Sequence, residues 1–285
     1  MRTRIIVGTL LALAVGAVLI GDQWLAPVFP CLFACIAMLG LLSSRELVRL
    51  YPPIFRPNLQ LTVLSVLLVL SANWYQPLAA LLSLPVARSP WVPVLFAFVL
   101  AMLAAFLYEL ARYREPGAAV PRLALTLFTI AYIGLLPSFF AQLRWLHPDP
   151  ARASLLMCLT IAVPKFGDVG AYFIGTFFGR TKMTPILSPK KTWEGATGGL
   201  LFSVAMAVGL GFIAPIFPRG LFEAVAFGVV VGIAGMLGDL AESLIKRDCQ
   251  TKDASHTLPG FGGMLDVIDS VLFAAPVAYA WLHLA

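Results

Sequence analysis

The stretch Trp91-Val-Pro-Val-Leu-Phe-Ala-Phe-Val-Leu-Ala-Met-Leu-Ala-Ala-Phe-Leu-Tyr-Glu-Leu-Ala111 carries no charge before Glu109. At a helical rise of ~1.5 Å per residue, about 20 such residues cross the ~30 Å hydrocarbon core of a bilayer. The stretch therefore reads as a membrane-spanning helix. Comparable runs lie near residues 5–20, 25–42, 60–84, 123–146, 153–178, 196–217, 221–244 and 268–285. Together they predict nine spans. The range is eight to ten, because the first run is short and Pro77 and Pro85 could divide the third.

The composition agrees. Of 285 residues, 60% are hydrophobic and only 12% are charged, against about 25% charged in a soluble domain. So few charges could not cover the apolar side chains of a water-soluble monomer of this length. A cytosolic enzyme, a disordered chain and a secreted disulfide scaffold are thereby excluded. Cys31, Cys35 and Cys158 lie in apolar runs and Cys249 among polar residues, with no Cys-x-x-Cys pair or nearby His to suggest zinc. The expected fold class is all-α, a polytopic integral membrane protein of about nine helices.

Orientation follows from the basic residues. With the N-terminus inside, fifteen of the twenty Lys and Arg residues fall in cytoplasmic segments. Four (Arg88, Arg144, Arg152 and Arg219) lie on the other side, and Lys165 lies within a span. That asymmetry is what the positive-inside rule requires. The net charge of +6 is thus a topology signal, and no nucleic-acid partner is expected. Arg2 and Arg4 before an apolar run also resemble a secretory signal, but no small-x-small cleavage site follows before Asp22, so the segment reads as a retained first span.

The chain changes character near its middle. Residues 1–150 are plain apolar helices, a scaffold and a candidate homodimer interface. Residues 151–285 hold nearly all the polar groups that a scaffold does not need, and are expected to form the catalytic region with a cytoplasm-facing site. An ionisable group within a span costs ~2.5–3.5 kcal/mol on insertion scales, so it needs a partner or a task. Pro164-Lys165-Phe166-Gly167-Asp168-Val169-Gly170 suits a broken helix around a polar site. Lys165 and Asp168, three residues apart, could equally neutralise each other.

Further on, Asp239, Glu242, Ser243 and Lys246 fall at i, i+3, i+4 and i+7, which is one helical face. Asp266 and Asp269 share a face at the start of the last span, where capping competes with a functional reading. Five carboxylates on three spans (Asp168, Asp239, Glu242, Asp266 and Asp269) form a hard-oxygen set that suits Mg²⁺. Ser188-Pro189-Lys190-Lys191-Thr192-Trp193-Glu194-Gly195 reads as a helix start, with Ser188 the N-cap and Pro189 at the first helical position. Lysines in a first turn oppose the helix dipole unless an anion binds there. The combination suggests phosphoryl or nucleotidyl transfer, with a phosphorylated lipid entering from the membrane and a polyphosphate from the cytosol.

The run Ser243-x-x-Lys246-Arg247, four residues, Lys252-Asp253, then Leu258-Pro259-x-x-Gly262-Gly263-x-x-Asp266-x-x-Asp269 resembles the signature of the phosphatidate cytidylyltransferases (CDP-diacylglycerol synthases). The segments Asp168–Gly179 and Ser188–Gly195 resemble that family's other recurrent stretches, in the same order. Two positions depart from the pattern: Phe261 stands where His is usual and Val267 where Arg is usual. His256 is a candidate for compensating.

The resemblance implies the reaction of CTP with phosphatidic acid, a membrane lipid, to give CDP-diacylglycerol and pyrophosphate in phospholipid biosynthesis. It also implies Mg²⁺ as cofactor, and leaves open whether a monovalent cation joins it. On this reading Asp239, Asp266 and Asp269 are the metal ligands, and Asp239, Asp266, Lys246 and Arg247 are catalytic. Ser188, Lys190, Lys191, Glu194, Ser243, Lys252 and Asp253 bind substrate, and Asp168 and Glu242 support the site. The expected location is a bacterial inner membrane with the N-terminus and site cytoplasmic.

Two alternatives stand beside it. A CTP-dependent lipid kinase would use similar groups but release CDP. An ion-coupled secondary transporter would also place carboxylates in broken helices, although no matching polar set lies at the other face. A CDP-alcohol phosphotransferase would share Asp266-x-x-Asp269, but its upstream Asp-Gly-x-x-Ala-Arg element is missing.

Overall fold

The computed structural model describes residues 2–252, 254–255, 257 and 262–284. Among them, nine helices are long and apolar enough to cross a membrane: α1 (Ile6–Leu25), α2 (Pro30–Leu50), α3 (Leu59–Leu81), α4 (Trp91–Arg112), α5 (Ala119–Trp145), α6 (Pro150–Phe178), α7 (Trp193–Ile213), α8 (Leu221–Asp248) and α9 (Leu265–Leu284). The chain is an integral membrane protein, and the nine expected spans are all present. Several outlast their apolar runs. α2 continues through Arg45, Glu46 and Arg49 to Leu50 and stops ahead of Pro52-Pro53, because straight-chain charged residues favour helix and the residue before proline does not.

Capping fixes other ends. Asn58 Oδ1 accepts from Leu61 N at 2.9 Å before α3. Asp149 accepts from Ala151 N at 3.0 Å, with Pro150 opening α6. Beyond α8, Gln250 adopts φ 57°, the left-handed closing conformation, and Thr251 N reaches back to Lys246 O at 2.8 Å.

Two expectations are corrected. α6 is not broken at Pro164; the helix runs through it to Phe178. Its glycines serve close packing instead. A Cβ on Gly167 would lie 2.5 Å from Ser203 Oγ of α7, and one on Gly199 of α7 would lie 2.9 Å from Gly167 O. Small residues let two membrane helices approach this closely. Nor does a helix begin at Ser188. Lys182–Thr184 (β1) and Ser188–Thr192 (β2) form an antiparallel hairpin, the only strands among the described residues, with Lys182 opposite Thr192 and Thr184 opposite Ser188. The N-cap of α7 is Thr192, whose Oγ1 accepts from Gly195 N at 3.1 Å.

The chain divides into two compact units, Met1–Gln142 with Asp253–Leu265, and Leu143–Lys252 with Asp266–Ala285. In the first, α2, α3 and α5 pack through Gly40 against Leu70 and Gly134 against Val69. Asn73 ties α3 to α5 by hydrogen bonds with Ser138 (2.9 Å) and Gln142 (2.8 Å). Arg122 holds Glu109 through both carboxylate oxygens, 2.7 Å at the shortest. The second unit has a core of Leu159, Val163, Ala207, Phe227, Val231, Ala274 and Ala278. It contains the cluster of titratable side chains described below.

Candidate active site

Within the second unit, α6, α8, α9 and strand β2 bring titratable side chains together. From α8 come Asp239, Glu242 and Lys246, on the one face that their spacing dictates. From the first turns of α9 come Asp266 and Asp269. α6 supplies Lys165 and Asp168, and β2 supplies Lys191.

Lys246 Nζ lies 2.7 Å from Glu242 Oε2 and 2.5 Å from Asp266 Oδ1. Lys191 Nζ lies 2.8 Å from Asp239 Oδ2. Lys165 Nζ stands between Asp269 Oδ1 at 3.3 Å and Asp168 Oδ2 at 3.4 Å. Asp269 Oδ1 also accepts from Ser270 N, and Asp168 Oδ2 accepts from Ser270 Oγ at 3.3 Å. One carboxylate oxygen each from Asp239, Glu242 and Asp269 lie within 4.8 Å of one another. Glu242 is 1% exposed, and its Oε1 is buried with no hydrogen-bond partner among the described residues.

The other expected residues stand apart from that cluster. Side chains alternate along a strand, so only Lys191 turns to Asp239, while Lys190 is exposed. Ser188 opens β2 and is half-buried. Glu194 accepts from Arg180 N and Thr181 N, each at 3.1 Å, and so closes the hairpin. Arg247 donates to Leu187 O (3.3 Å) and Thr251 O (3.2 Å), which fixes the same hairpin to the end of α8. Lys252 is exposed and Ser243 half-buried. Asp253, His256 and Phe261 lie outside the described residues.

A sequence model described as "Cytidylyltransferase family" matches residues 2–285. The chain belongs to the cytidylyltransferase family. It is 31% identical over 315 aligned residues to phosphatidate cytidylyltransferase 4, chloroplastic, of Arabidopsis thaliana, covering 99% of this chain and 73% of that protein. It is 30% identical to the phosphatidate cytidylyltransferase of Synechocystis sp., covering 96% of this chain and 93% of the relative. The phosphatidate cytidylyltransferase of Mycobacterium bovis is 35% identical over 60% of this chain and 54% of its own length.

For a member of this family the charge balance of the cluster is informative. Counted as ionised, its five carboxylates outnumber its three ammonium groups by two, which one divalent cation cancels. Among the described residues Glu242 Oε1 is the kind of buried polar atom that needs a partner, and its carboxylate contributes one oxygen to the trio. Hard carboxylate oxygens gathered this closely are the donor type that Mg²⁺ takes, so Asp239, Glu242 and Asp269 would suit such an ion. The fit differs in one member from the set expected from sequence. Asp266 faces Lys246, and Glu242 stands with Asp239 and Asp269.

Two glycines of α8 make this proximity possible. A Cβ on Gly235 would lie 2.5 Å from Pro164 Cβ of α6, and one on Gly238 would lie 2.5 Å from Asp269 O of α9. Gly238→Leu must therefore push α8 away from Asp269. A displacement of ~1 Å can cost about 10²-fold in rate, so turnover of Gly238→Leu is expected to fall by about that factor. Gly209→Ala, whose Cβ meets nothing within 4 Å, should match the wild type in the same assay. Equal activity in the two variants would show that the close approach is dispensable.

Sequence reasoning did not pick out Glu46. In the first unit, this buried α2 carboxylate accepts from Ser255 Oγ (2.6 Å), Thr257 Oγ1 (2.9 Å) and Leu265 N (2.9 Å), so it ties those three residues to α2. Its partners lie more than 200 residues away, and an acid between Arg45 and Arg49 carries no local sign of them.

Proposed function

We propose that the chain transfers the cytidylyl group of CTP to phosphatidate, giving CDP-diacylglycerol and pyrophosphate. The observation that carries this reading is the carboxylate trio of Asp239, Glu242 and Asp269 on two membrane-spanning helices, each acid beside a lysine. The names of the relatives supply the nucleotide and the lipid.

Mg²⁺ is the proposed cofactor, held by Asp239, Glu242 and Asp269, and when bound it supplies Lewis-acid charge at phosphoryl oxygens. The protein's own task is positioning. The phosphate monoester of phosphatidate, with a second pKa of ~6, is largely dianionic near neutrality, so no general base is needed. One of its oxygens attacks the α-phosphorus of CTP. The bond from that phosphorus to the bridging oxygen of the β-phosphate breaks, and pyrophosphate leaves with the electron pair. Two anions must meet for this, and the ammonium groups of Lys191 and Lys246 hold the carboxylates that would otherwise repel them. Lys190 and Lys252, both exposed, are suited to the polyphosphate tail.

The distribution of Lys and Arg supports placing the N-terminus and the site at the cytoplasmic face, and we propose a bacterial inner membrane as the location.

The test is turnover by detergent-purified protein with phosphatidate, CTP and Mg²⁺, following CDP-lipid and pyrophosphate together. Equal amounts of both, lost without lipid and in Asp239→Asn, are expected. That result would also show Phe261 and Val267 to be compatible with catalysis. CDP with a newly phosphorylated lipid, and no pyrophosphate, would replace the reading with a lipid kinase. Absence of any nucleotide turnover would overturn it.

A further inference from the structure

Three lysines meet the carboxylate cluster, and they are held differently. Lys191 sits 2.8 Å from Asp239 and Lys246 sits 2.7 Å from Glu242, within the ~2.7–2.9 Å of charge-assisted N–H···O hydrogen bonds, and Lys246 is also in close contact with Asp266. Lys165 is 3.3 Å from Asp269 and 3.4 Å from Asp168, longer than such bonds usually run, and its side chain remains 33% exposed against 12% for Lys246. It also rises from the helical turn after Pro164, the residue on which α8 rests at Gly235. Lys165 is thus anchored by its backbone and loosely held at its tip.

Asp269 belongs both to Lys165 and to the oxygen trio that suits a divalent ion. The two cations therefore compete for one carboxylate. A divalent ion drawing on Asp269 weakens the hold on Lys165 Nζ, just when a triphosphate and a phosphate monoester bring negative charge to the same place.

We propose that Lys165 is an exchangeable cation of this site: it pairs with Asp269 and Asp168 before the metal binds, then swings its ammonium group to a substrate phosphate. The proposal rests on the cytidylyltransferase reading for the identity of the phosphates, but not for the competition with the metal. It assigns Lys165 a catalytic role that an internal ion pair with Asp168 would not have. Lys246, tightly placed between Glu242 and Asp266, stays with its carboxylates.

The prediction has opposite signs on one variant. In Lys165→Met, Mn²⁺ binding to the purified protein without nucleotide or lipid, read by electron paramagnetic resonance, should tighten by about tenfold as a competing positive charge is removed. Pyrophosphate binding in the presence of saturating Mn²⁺, read by calorimetry, should weaken by about tenfold, the order expected for a lost charge-assisted contact. Lys165→Arg, which retains the charge, should leave both Mn²⁺ and pyrophosphate affinity close to those of the wild type.

A lysine that only stabilises the helix packing would move both affinities the same way, and that result would overturn the proposal, as would two unchanged affinities. A general loss of fold is recognised by a lower melting temperature and by failure of Lys165→Arg to recover. If the wild type binds Mn²⁺ and pyrophosphate but makes no CDP-lipid, the cytidylyl reading fails while both affinity shifts still decide the role of Lys165.

Discussion

Asp269→Asn is expected to reduce CDP-lipid formation by about 10²–10³-fold, equivalent to ~3–4 kcal/mol of transition-state stabilisation. The substitution keeps the volume of a side chain that is only 7% exposed and packed at the start of α9. What it removes is charge. Asp269 is the one carboxylate shared by Lys165, the Ser270 N–H and the oxygen trio with Asp239 and Glu242. An amide oxygen can still ligate, but it cannot neutralise a cation.

The loss should therefore appear as a higher Mg²⁺ requirement as well as a lower maximal rate. Asp168→Asn, whose residue lies outside the trio, should change the Mg²⁺ requirement much less. The measurement is a Mg²⁺ titration of turnover for the three proteins. An Asp269→Asn protein within threefold of wild type at every Mg²⁺ concentration would remove Asp269 from the metal set.

What the sequence made legible follows from the range of the forces involved. Spans are set by runs of apolar residues against a fixed bilayer thickness, so Trp91–Arg112 and its eight counterparts could be read directly. A helical face is likewise local, which is why Asp239, Glu242 and Lys246 could be placed together. Which acid meets which cation is not local. Asp266 and Glu242 have the same chemistry, and only the packing of α9 on Gly238 puts Asp266 against Lys246 and leaves Glu242 beside Asp239 and Asp269.

The same limit explains the glycines of α6. Near a proline they suggest a break, but Gly167 is needed for approach to Ser203 and Gly199, more than thirty residues away in another helix. Ser188-Pro189 is a good helix opening by composition. Thr192 prevails because β1 pairs with the preceding residues and holds them extended. Glu46 left no trace in the sequence for a related reason, since its hydrogen-bond partners are remote in the chain.

Lys246→Met should be the most damaging single change for the folded protein. Lys246 is 12% exposed at the side chain and lies between Glu242, which is 1% exposed, and Asp266. Removing the ammonium leaves the buried Glu242 carboxylate facing that of Asp266 without the charge of Lys246. Breaking a buried pair in this way costs about 3–5 kcal/mol, more than the intact pair contributes, because the remaining charge is left uncompensated. The helices should stay inserted, since their apolar length is unchanged, and the loss should show as weakened packing of α9 against α8. A lower melting temperature in detergent and turnover reduced by at least 10²-fold are expected, the rate effect following from displaced site residues.

The second substitution is the informative one. If Asp266 is chiefly the partner of Lys246, Lys246→Met with Asp266→Asn removes the repulsion along with the pair. Its stability should then exceed that of Lys246→Met alone, with a coupling above ~1 kcal/mol in a double-mutant cycle. If Asp266 instead binds the metal, as its place in the sequence pattern suggests, the double variant should gain no turnover from the recovered stability. Recovery of both would leave Asp239, Glu242 and Asp269 as the sufficient carboxylate set. Additive losses in stability would show that the short contacts of Lys246 do not hold α8 to α9.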